Sequence, residues 1–241
     1  MAPRGESGST GTESVGADPD GSGGPHVFVD DLDAPALGDA DRHHLARVVR
    51  LRDGDPLTVG DGRGSWRPAR FGAQVEISGD VVTVPPPNEP ITVGFALLKG
   101  SRVDDVTRHL TELGVDVIVP LLTARCVVRW DGATAHKRHQ RLVRITLEAA
   151  MQCRRAWLPT VEEVQAFSDV VVRDGAVVAQ MGAPALPGGA RCVLVGPEGG
   201  FTATEVASAA ACASLGPHVL RAETAALAAG TLLADRRSRV R

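Results

Sequence analysis

The sequence has no apolar run long enough to cross a membrane, no secretory signal peptide and no Arg-rich transit peptide. It also has no C-x-x-C pair, and its four cysteines lie far apart, at Cys126, Cys153, Cys192 and Cys212. Scattered cysteines argue against a disulfide framework and against a zinc site, and they are typical of buried thiols in a reducing compartment. We therefore expect a soluble cytoplasmic protein that holds no metal.

The sequence also has few lysines and a small net charge. Lys99 and Lys137 are the only lysines, so arginine supplies nearly all the basic side chains. The formal charge of -3 arises within residues 1–25, and the rest of the chain is balanced. Net charge therefore neither supports nor excludes a nucleic-acid partner. Arginine suits phosphate binding and base stacking, although a GC-rich genome produces the same bias.

Composition divides the chain into four parts. Residues 1–25 are rich in Gly, Ser, Thr, Asp and Glu, which predicts a disordered tail. Residues 26–84 alternate short strands with Gly and Asp turns around one helix at 39–51, which suggests a small β-barrel. The prolines of residues 85–90 predict a stiff linker. Residues 91–241 alternate strands with helices, which predicts an α/β domain with a parallel sheet.

Periodicity locates the elements of residues 91–241. The predicted strands span 91–98, 115–120, 170–172, 177–181, 192–195 and 219–220. The predicted helices span 104–113, 136–155, 202–215 and 224–234. His136 and His139 fall on the second helix without a carboxylate pattern, so we interpret them as part of a solvated basic face and not as metal ligands.

A glycine-rich stretch near the C-terminus follows the strand at 192–195. Gly196, Gly199 and Gly200 allow close approach of the backbone to a ligand, and Thr202 with Glu205 predicts a capping box at the start of a helix. The stretch lacks the lysine of a P-loop and the spacing of G-x-G-x-x-G. By itself it fits a binding loop for a small polar ligand and a plain structural turn equally well.

A second polar turn favours the binding interpretation. Leu215-Gly216-Pro217 ends one predicted helix, and Arg221-Ala222-Glu223-Thr224-Ala225 opens the next after a short strand. Both turns therefore follow strands of the same predicted sheet. Ligands of open α/β sheets bind outside the carboxyl ends of the strands, where both turns are expected to lie.

These stretches resemble the RsmE family of ribosomal RNA uracil-N3 methyltransferases, which belongs to the SPOUT superfamily. The resemblance rests on four motifs in order: Glu112-Leu113-Gly114-Val115, Glu148-Ala149-Ala150-Met151-Gln152-Cys153-Arg154-Arg155, Val195 to Phe201, and Leu215 to Ala225. They span most of the chain after residue 90. The resemblance implies a PUA-like barrel over residues 26–84, a C-terminal deep trefoil knot, S-adenosylmethionine as cofactor and a homodimer.

The same resemblance implies the site residues. Cofactor-binding residues would be Met181, Gly182, Gly196, Pro197, Glu198, Gly199, Gly200, Leu215, Leu220, Arg221 and Thr224. Glu198 and Arg221 are the catalytic candidates, and Leu215 and Leu220 fit ordinary core packing equally well. Glu223 is a second carboxylate for removing a proton, although capping a helix is the favoured interpretation for it.

RNA contacts are implied for Arg50, Arg63, Arg125, Arg154 and Arg155, and the alternative for each is a surface charge. His26 and His218 stand where the family pattern carries Arg, so contacts there are expected to differ. The implied function is methylation of N3 of one uridine in the decoding region of 16S ribosomal RNA of the small subunit. A SPOUT ribose 2'-O-methyltransferase and a non-catalytic RNA-binding assembly factor are the alternatives.

Overall fold

The computed structural model describes residues 23–239, so residues 1–22 of the predicted tail lie outside the described part of the chain. The protein divides into two compact units. The first contains the residues up to Pro85 together with Arg154–Trp157, and the second contains Pro86–Cys153 and the chain from Leu158 onward. No helix within residues 23–239 is long and apolar enough to cross a membrane.

The first unit is built on a five-stranded sheet. Its strands are β1 (His26–Phe28), β2 (Pro56–Gly60), β3 (Ser65–Arg70), β4 (Glu76–Ile77) and β5 (Val82–Thr83). β1 pairs parallel with β2, β2 pairs antiparallel with β3, and β3 also pairs with β4 and β5. Leu57 and Val59 of β2 are fully buried, as expected for a strand with neighbours on both edges.

One helical segment interrupts the strands of the first unit, as the sequence predicts. Helix α1 (Asp39–His43) continues as a π-helical segment (His44–Val49) and ends at Arg50, whose φ of 66° is left-handed. The segment Arg154–Trp157 belongs to the same unit. The indole Nε1 of Trp157 donates a hydrogen bond of 2.9 Å to the carbonyl of Val84.

The second unit contains a seven-stranded sheet. Its strands are β6 (Thr92–Ala96), β7 (Val117–Leu122), β8 (Thr160–Val161), β9 (Gln165–Ala166), β10 (Ala176–Ala179), β11 (Cys192–Val195) and β12 (Cys212–Ala213). The order is β12-β10-β11-β6-β7-β8, and β9 also pairs with β7. Every pairing is parallel, which confirms the predicted α/β fold with a parallel sheet.

Five helices accompany the described part of this sheet: α2 (Arg102–Glu112), α3 (Gly132–Gln152), α4 (Phe167–Val170), α5 (Ala203–Ser208) and α6 (Ala222–Arg239). The apolar sides of α2, α3 and α6 contribute Leu110, Leu142 and Leu233 to one core with strand residues such as Phe95. α6 packs closely because Gly230 has no side chain, and a Cβ there would lie 2.9 Å from Leu110 Cδ2.

Three predictions of secondary structure are wrong. The helix predicted at 202–215 ends at Ser208, because the alanine-rich chain after it pairs with β10: Gln180 N donates to Ala213 O at 2.9 Å. Tertiary pairing thus overrides helix propensity. The strand predicted at 219–220 has no ladder partner in the described chain. The strand predicted at 170–172 is replaced by the last residue of α4 and the turn that follows it.

The helix predicted at 136–155 is displaced. α3 begins at Gly132 and ends at Gln152, so Arg154 and Arg155 lie beyond its C-terminus. Arg154 has a φ of 57°, a left-handed conformation that cannot continue a right-handed helix. The turn therefore separates α3 from the Arg154–Trp157 segment of the first unit.

Candidate functional site

A cavity of about 320 Å³ lies at the carboxyl ends of β10, β11 and β12. Its walls come from residues 179–181 at the end of β10, residues 195–201 at the end of β11, and residues 214–216 and 218–220 after β12. Ala222 and Ala225 close it from the first turn of α6. The volume lies within the range of small-molecule sites, and the position is where ligands of parallel sheets bind.

The loop after β11 folds tightly on itself. A Cβ on Gly196 would lie 3.1 Å from the ring of Phe201 and 3.3 Å from the backbone of Gly200. Gly200 has a φ of 67°, and its N–H donates to Pro197 O at 2.7 Å. Glycine is thus favoured at the two positions for different reasons, since a side chain at Gly196 would be tightly packed and Gly200 has a left-handed backbone.

The predicted capping box after this loop is confirmed. Thr202 Oγ1 accepts a hydrogen bond from Glu205 N at 3.1 Å, and Glu205 Oε2 accepts one from Thr202 N at 2.8 Å. Glu205 Oε1 also accepts a 2.8 Å bond from Ala124 N, in the loop after β7. One carboxylate therefore fixes the end of the glycine loop and joins it to a second loop.

Hydrogen bonding determines the pKa of Glu205. Partial burial by itself raises the pKa of this carboxyl, but the bonds from the Ala124 and Thr202 backbones and from the Thr202 hydroxyl, with the nearby Arg125 charge, outweigh burial. The pKa of Glu205 therefore lies below its ordinary value. Glu205 is ionised at neutral pH, as its role as an acceptor of hydrogen bonds requires.

Two arginines hold the glycine loop from outside. Arg125 Nη1 donates to Gly199 O at 2.7 Å. Arg102, at the start of α2, places Nη1 3.0 Å from Glu198 Oε1 and 3.9 Å from Glu223 Oε2. The Arg102 and Glu198 side chains are 45% and 58% exposed, whereas Glu223 is 27% exposed and its Oε2 is buried without a hydrogen-bond partner in the described structure.

The cavity wall includes most of the residues predicted for the cofactor. Gly182, Arg221 and Thr224 are not in the wall, and the side chains of Arg221 and Thr224 are exposed. The predicted residues that do line it are Met181, Gly196, Pro197, Glu198, Gly199, Gly200, Leu215 and Leu220, together with Arg125. Arg125, which the sequence predicts as an RNA contact, donates to the glycine loop and lines the cavity.

Sequence reasoning missed other parts of the wall. The missed residues are Ala179, Gln180, Val195, Phe201, Val206, Ser214, Gly216, His218, Val219, Ala222 and Ala225. Ser214 was hidden because its segment was assigned to a helix, whereas it follows strand β12. Arg102 carried no local signal, since 96 positions separate it from Glu198.

The four remaining candidate RNA contacts all belong to the first unit. Arg50 and Arg63 are exposed. Arg154 and Arg155 are half-buried, and their guanidinium groups donate to the carbonyls of Gly24 and Trp157 respectively. Arg154 and Arg155 therefore hold the backbone of their own unit.

His26 is a buried polar residue of the first unit. Its side chain lies in β1, and Nδ1 forms a 2.8 Å hydrogen bond with Thr58 Oγ1. Burial, with a smaller contribution from the charge of Arg154, lowers the pKa of His26 to about 4. The imidazole is therefore neutral at physiological pH and cannot supply the positive charge of an arginine at this position.

The possible metal ligands are dispersed in the described residues, and Cys192 is a buried free thiol. Within residues 23–239, no three His, Cys, Asp or Glu side chains cluster in a way that could hold an ion. Cys192 is buried in β11, and burial raises the pKa of its thiol to about 11. The thiol is therefore protonated at neutral pH and is a poor nucleophile.

Comparison with known proteins defines the class of this one. Residues 85–234 match the RNA methyltransferase domain family, and residues 37–73 match the RNA methyltransferase PUA domain. The fold agrees with a methyltransferase from Legionella pneumophila solved in complex with the cofactor SAM, at a TM-score of 0.75 and 27% identity. That comparison covers 86% of this chain and 96% of the other. The class is an RNA methyltransferase with a PUA domain and a SPOUT-type α/β domain.

Relatives with higher sequence identity identify the family within this class. The chain is 35% identical over 226 residues to ribosomal RNA small subunit methyltransferase E of Mycobacterium bovis, covering 83% of this chain and 86% of the relative. The Synechocystis protein of the same name is 35% identical over 78% of this chain and 69% of its own length. A structure of the Neisseria gonorrhoeae enzyme bound to S-adenosyl methionine has a TM-score of 0.73 at 28% identity, covering 87% of this chain and 96% of the other. The chain belongs to the ribosomal RNA small subunit methyltransferase E family, which confirms the RsmE resemblance.

Proposed function

We propose that this protein transfers a methyl group from S-adenosylmethionine to N3 of a single uridine in the decoding region of 16S ribosomal RNA. One observation carries the proposal: the glycine-loop cavity lies at the carboxyl ends of three parallel strands, in a chain whose solved relatives bind S-adenosylmethionine. The cofactor, when bound, supplies an already activated methyl group. The protein must therefore bind and orient the cofactor and the target base, and it must assist removal of the N3 proton.

The cavity residues fit such a cofactor. Gly196 has no side chain to project into the loop, so the backbone of residues 196–200 can lie directly against a ligand in the cavity. Leu215 and Leu220 give the opposite side an apolar surface suited to a flat aromatic ring. We also propose Gly182, Arg221 and Thr224 as cofactor-binding residues, which would reach the ligand from outside the cavity wall.

Loss of the N3 proton requires an acceptor near the cavity. Glu198 lines the cavity and is 58% exposed, and the 3.0 Å contact of its Oε1 with Arg102 leaves Oε2 available to a substrate. We assign proton removal to Glu198 and electrostatic support of the target base to Arg221. Glu223 has a buried Oε2 at the start of α6, a position that suits holding the loop.

The target uridine must leave its base pair before N3 can react. We propose that the first unit binds the surrounding RNA, with Arg50 and Arg63 as exposed phosphate contacts. We keep Arg154 and Arg155 of the same unit as proposed RNA contacts. Arg125 is also proposed as an RNA contact, and its bond with Gly199 would place this contact next to the glycine loop.

We also infer the deep trefoil knot from the topology of the second unit. β12 lies beyond β10 at one edge of the sheet, whereas α6 packs against β6 and β11. The chain of residues 214–221 must therefore return across the carboxyl ends of β10 and β11. A crystal structure traced continuously through residues 176–239 tests this threading.

We propose a cytoplasmic homodimer as the working form. Leu227 and Leu232 of α6 remain half-buried within one chain, and Val219 beside the cavity is 79% exposed. A second chain would cover such apolar surface. Light scattering after size exclusion tests the assembly, because a monomeric mass at micromolar concentration would contradict it.

The reaction is tested by nucleoside mass spectrometry of small-subunit RNA that lacks the modification, after incubation with pure protein and S-adenosylmethionine. Cofactor-dependent 3-methyluridine supports the proposal, and sequencing of the modified fragment locates the uridine. Ribose methylation would instead assign the protein to the 2'-O branch. Cofactor binding without methylation of either small subunits or naked RNA would contradict an enzymatic role on this substrate.

A further inference from the structure

Helix α3 carries a concentrated basic face that the cofactor cavity does not use. Lys137, Arg138, Arg141 and Arg144 are exposed and stand at helical spacings that bring them to one side. Ala133, Thr134 and Gln140 lie beside them on the same open surface of α3. We call this set of four cations the α3 basic face.

A buried carboxylate fixes one of these cations. Arg141 Nε donates at 2.7 Å to Asp104 Oδ2, and the Asp104 side chain is only 7% exposed while Arg141 is 50% exposed. The guanidinium is therefore held in one orientation. Its Nη groups donate no hydrogen bond within residues 23–239, so their donors remain available to a ligand. An ordered guanidinium loses less entropy when it binds an anion.

Acidic groups compensate the remaining charge only weakly. Arg144 lies 3.7 Å from Glu148, and both side chains are more than 60% exposed, so this pair contributes little. Lys137 and Arg138 form no ion pair in the part of the chain that is described. The α3 basic face therefore keeps a positive field toward solvent, which suits binding of a polyanion.

The length of the face fits a nucleic-acid backbone. Residues 137–144 extend over about 10 Å of helix axis. A strand of a nucleic-acid duplex presents one phosphate about every 3.4 Å along its axis, so the face can reach about three phosphates. Arginine and lysine bind phosphate without reading sequence, which suits a surface away from the target base.

Topology places the basic face near the cavity. α3 belongs to the crossover from β7 to β8, so its N-terminal half begins at the carboxyl edge of the sheet, where the cavity lies. The loop before α3 contains Arg125, which contacts Gly199 in the glycine loop. RNA that enters the cavity can therefore continue along α3.

We propose that the α3 basic face binds the sugar–phosphate backbone of the substrate RNA next to the target nucleotide. This inference rests on the proposed function, because it takes RNA as the substrate. It adds a phosphate-binding surface in the methyltransferase unit itself, made of residues distinct from the arginines of the first unit.

The test compares two variants with equal loss of charge. Lys137→Gln/Arg138→Gln removes the two cations without ion pairs, and Arg141 is left intact because its loss would expose the buried Asp104 charge. Arg191→Gln/Arg239→Gln removes two cations on other elements and is the matched control. Affinity for an unmodified small-subunit RNA fragment is measured by fluorescence anisotropy between 50 and 200 mM salt. Calorimetry with S-adenosylmethionine checks that the fold and the cavity are intact.

We expect the α3 variant to bind RNA about tenfold more weakly and to lower the salt slope by about two, with unchanged cofactor affinity. The control variant should keep the RNA affinity and the salt slope of the wild type. Equal weakening in the two variants, or no change in the α3 variant, overturns the proposal. Normal binding to naked RNA with weakened binding to whole small subunits also overturns it and assigns the face to a ribosomal protein. Absence of methyl transfer by the wild type would refute the proposed reaction while leaving the RNA-binding comparison valid.

Discussion

Arg102 Nη1 lies 3.0 Å from Glu198 Oε1, a contact that joins the start of α2 to the glycine loop across 96 positions of sequence. The same nitrogen lies 3.9 Å from Glu223, at the start of α6. One guanidinium thus stands between two carboxylates from two different elements of the cavity rim. Because a guanidinium that contacts a carboxylate restricts its orientation, Arg102 is suited to hold the Glu198 side chain in place at the cavity.

Replacing Arg102 with Gln should weaken binding of S-adenosylmethionine about fivefold, because the glycine loop loses a partly exposed ion pair. Calorimetry measures the effect, and Arg102→Lys, which keeps the charge, should recover most of the affinity. A double-mutant cycle with Glu198→Gln checks the direct coupling. Additive effects of the two substitutions would mean that the ion pair has no role in cofactor binding.

The glycines of the loop should differ in their tolerance of a side chain. Gly196→Ala should weaken cofactor binding by more than about tenfold, because the new Cβ meets the Phe201 ring at 3.1 Å and the loop must shift. Gly199→Ala is the control, since its Cβ would make only an ordinary 3.7 Å contact with Arg125. Calorimetry measures the affinity of both variants for S-adenosylmethionine. Equal losses of affinity would argue that packing of the loop has no role in cofactor binding.

Glu205→Ala should lower the free energy of unfolding by about 1 to 2 kcal/mol, because the Thr202 and Ala124 amides lose their acceptor. Guanidinium denaturation at pH 7 measures the loss. Glu163→Ala, at an exposed position, should stay within about 0.5 kcal/mol of the wild type.

The pH dependence of the Glu205 contribution has a defined sign. The folded pKa of this carboxyl is lowered, so its stabilising contribution is present above the unfolded pKa and is lost as pH falls through the folded one. The difference between wild type and Glu205→Ala should therefore shrink under acidic conditions. If the difference in the free energy of unfolding stayed constant down to the acid transition, it would contradict the hydrogen bonds accepted by Glu205.

His26 should make the first unit sensitive to mild acid. Its pKa is about 4 in the folded protein and 6.5 as the ordinary value, so the unfolded chain binds the proton more readily between these values. Stability should therefore fall by about 2 kcal/mol between pH 7 and pH 5 on account of this residue. His26→Phe/Thr58→Val replaces the hydrogen-bonded pair with apolar residues and should remove that part of the pH dependence. Denaturation followed by Trp fluorescence at both pH values checks it, and an unchanged slope in the variant would contradict a buried neutral His26.

Local sequence features predicted the parts of the site that depend on local chemistry. Gly196, Gly200 and the Thr202–Glu205 capping box are recognisable because a tight turn and a helix start each require particular residue types. The parallel strands were likewise predicted from alternation with helices. The segment Cys212–Ala213 was not, because its alanine-rich surroundings favour a helix until β10 provides a partner.

The sequence by itself determined that this chain is an α/β protein with a glycine loop after a buried strand, and its motifs determined the family. Only the tertiary structure decided that β12 lies beside β10, that Ser214 therefore reaches the cavity, and that Arg102 meets Glu198. The reason is physical. Turns and caps are stabilised by residues a few positions apart, whereas strand partners and ion pairs across a cavity depend on packing that brings distant segments together.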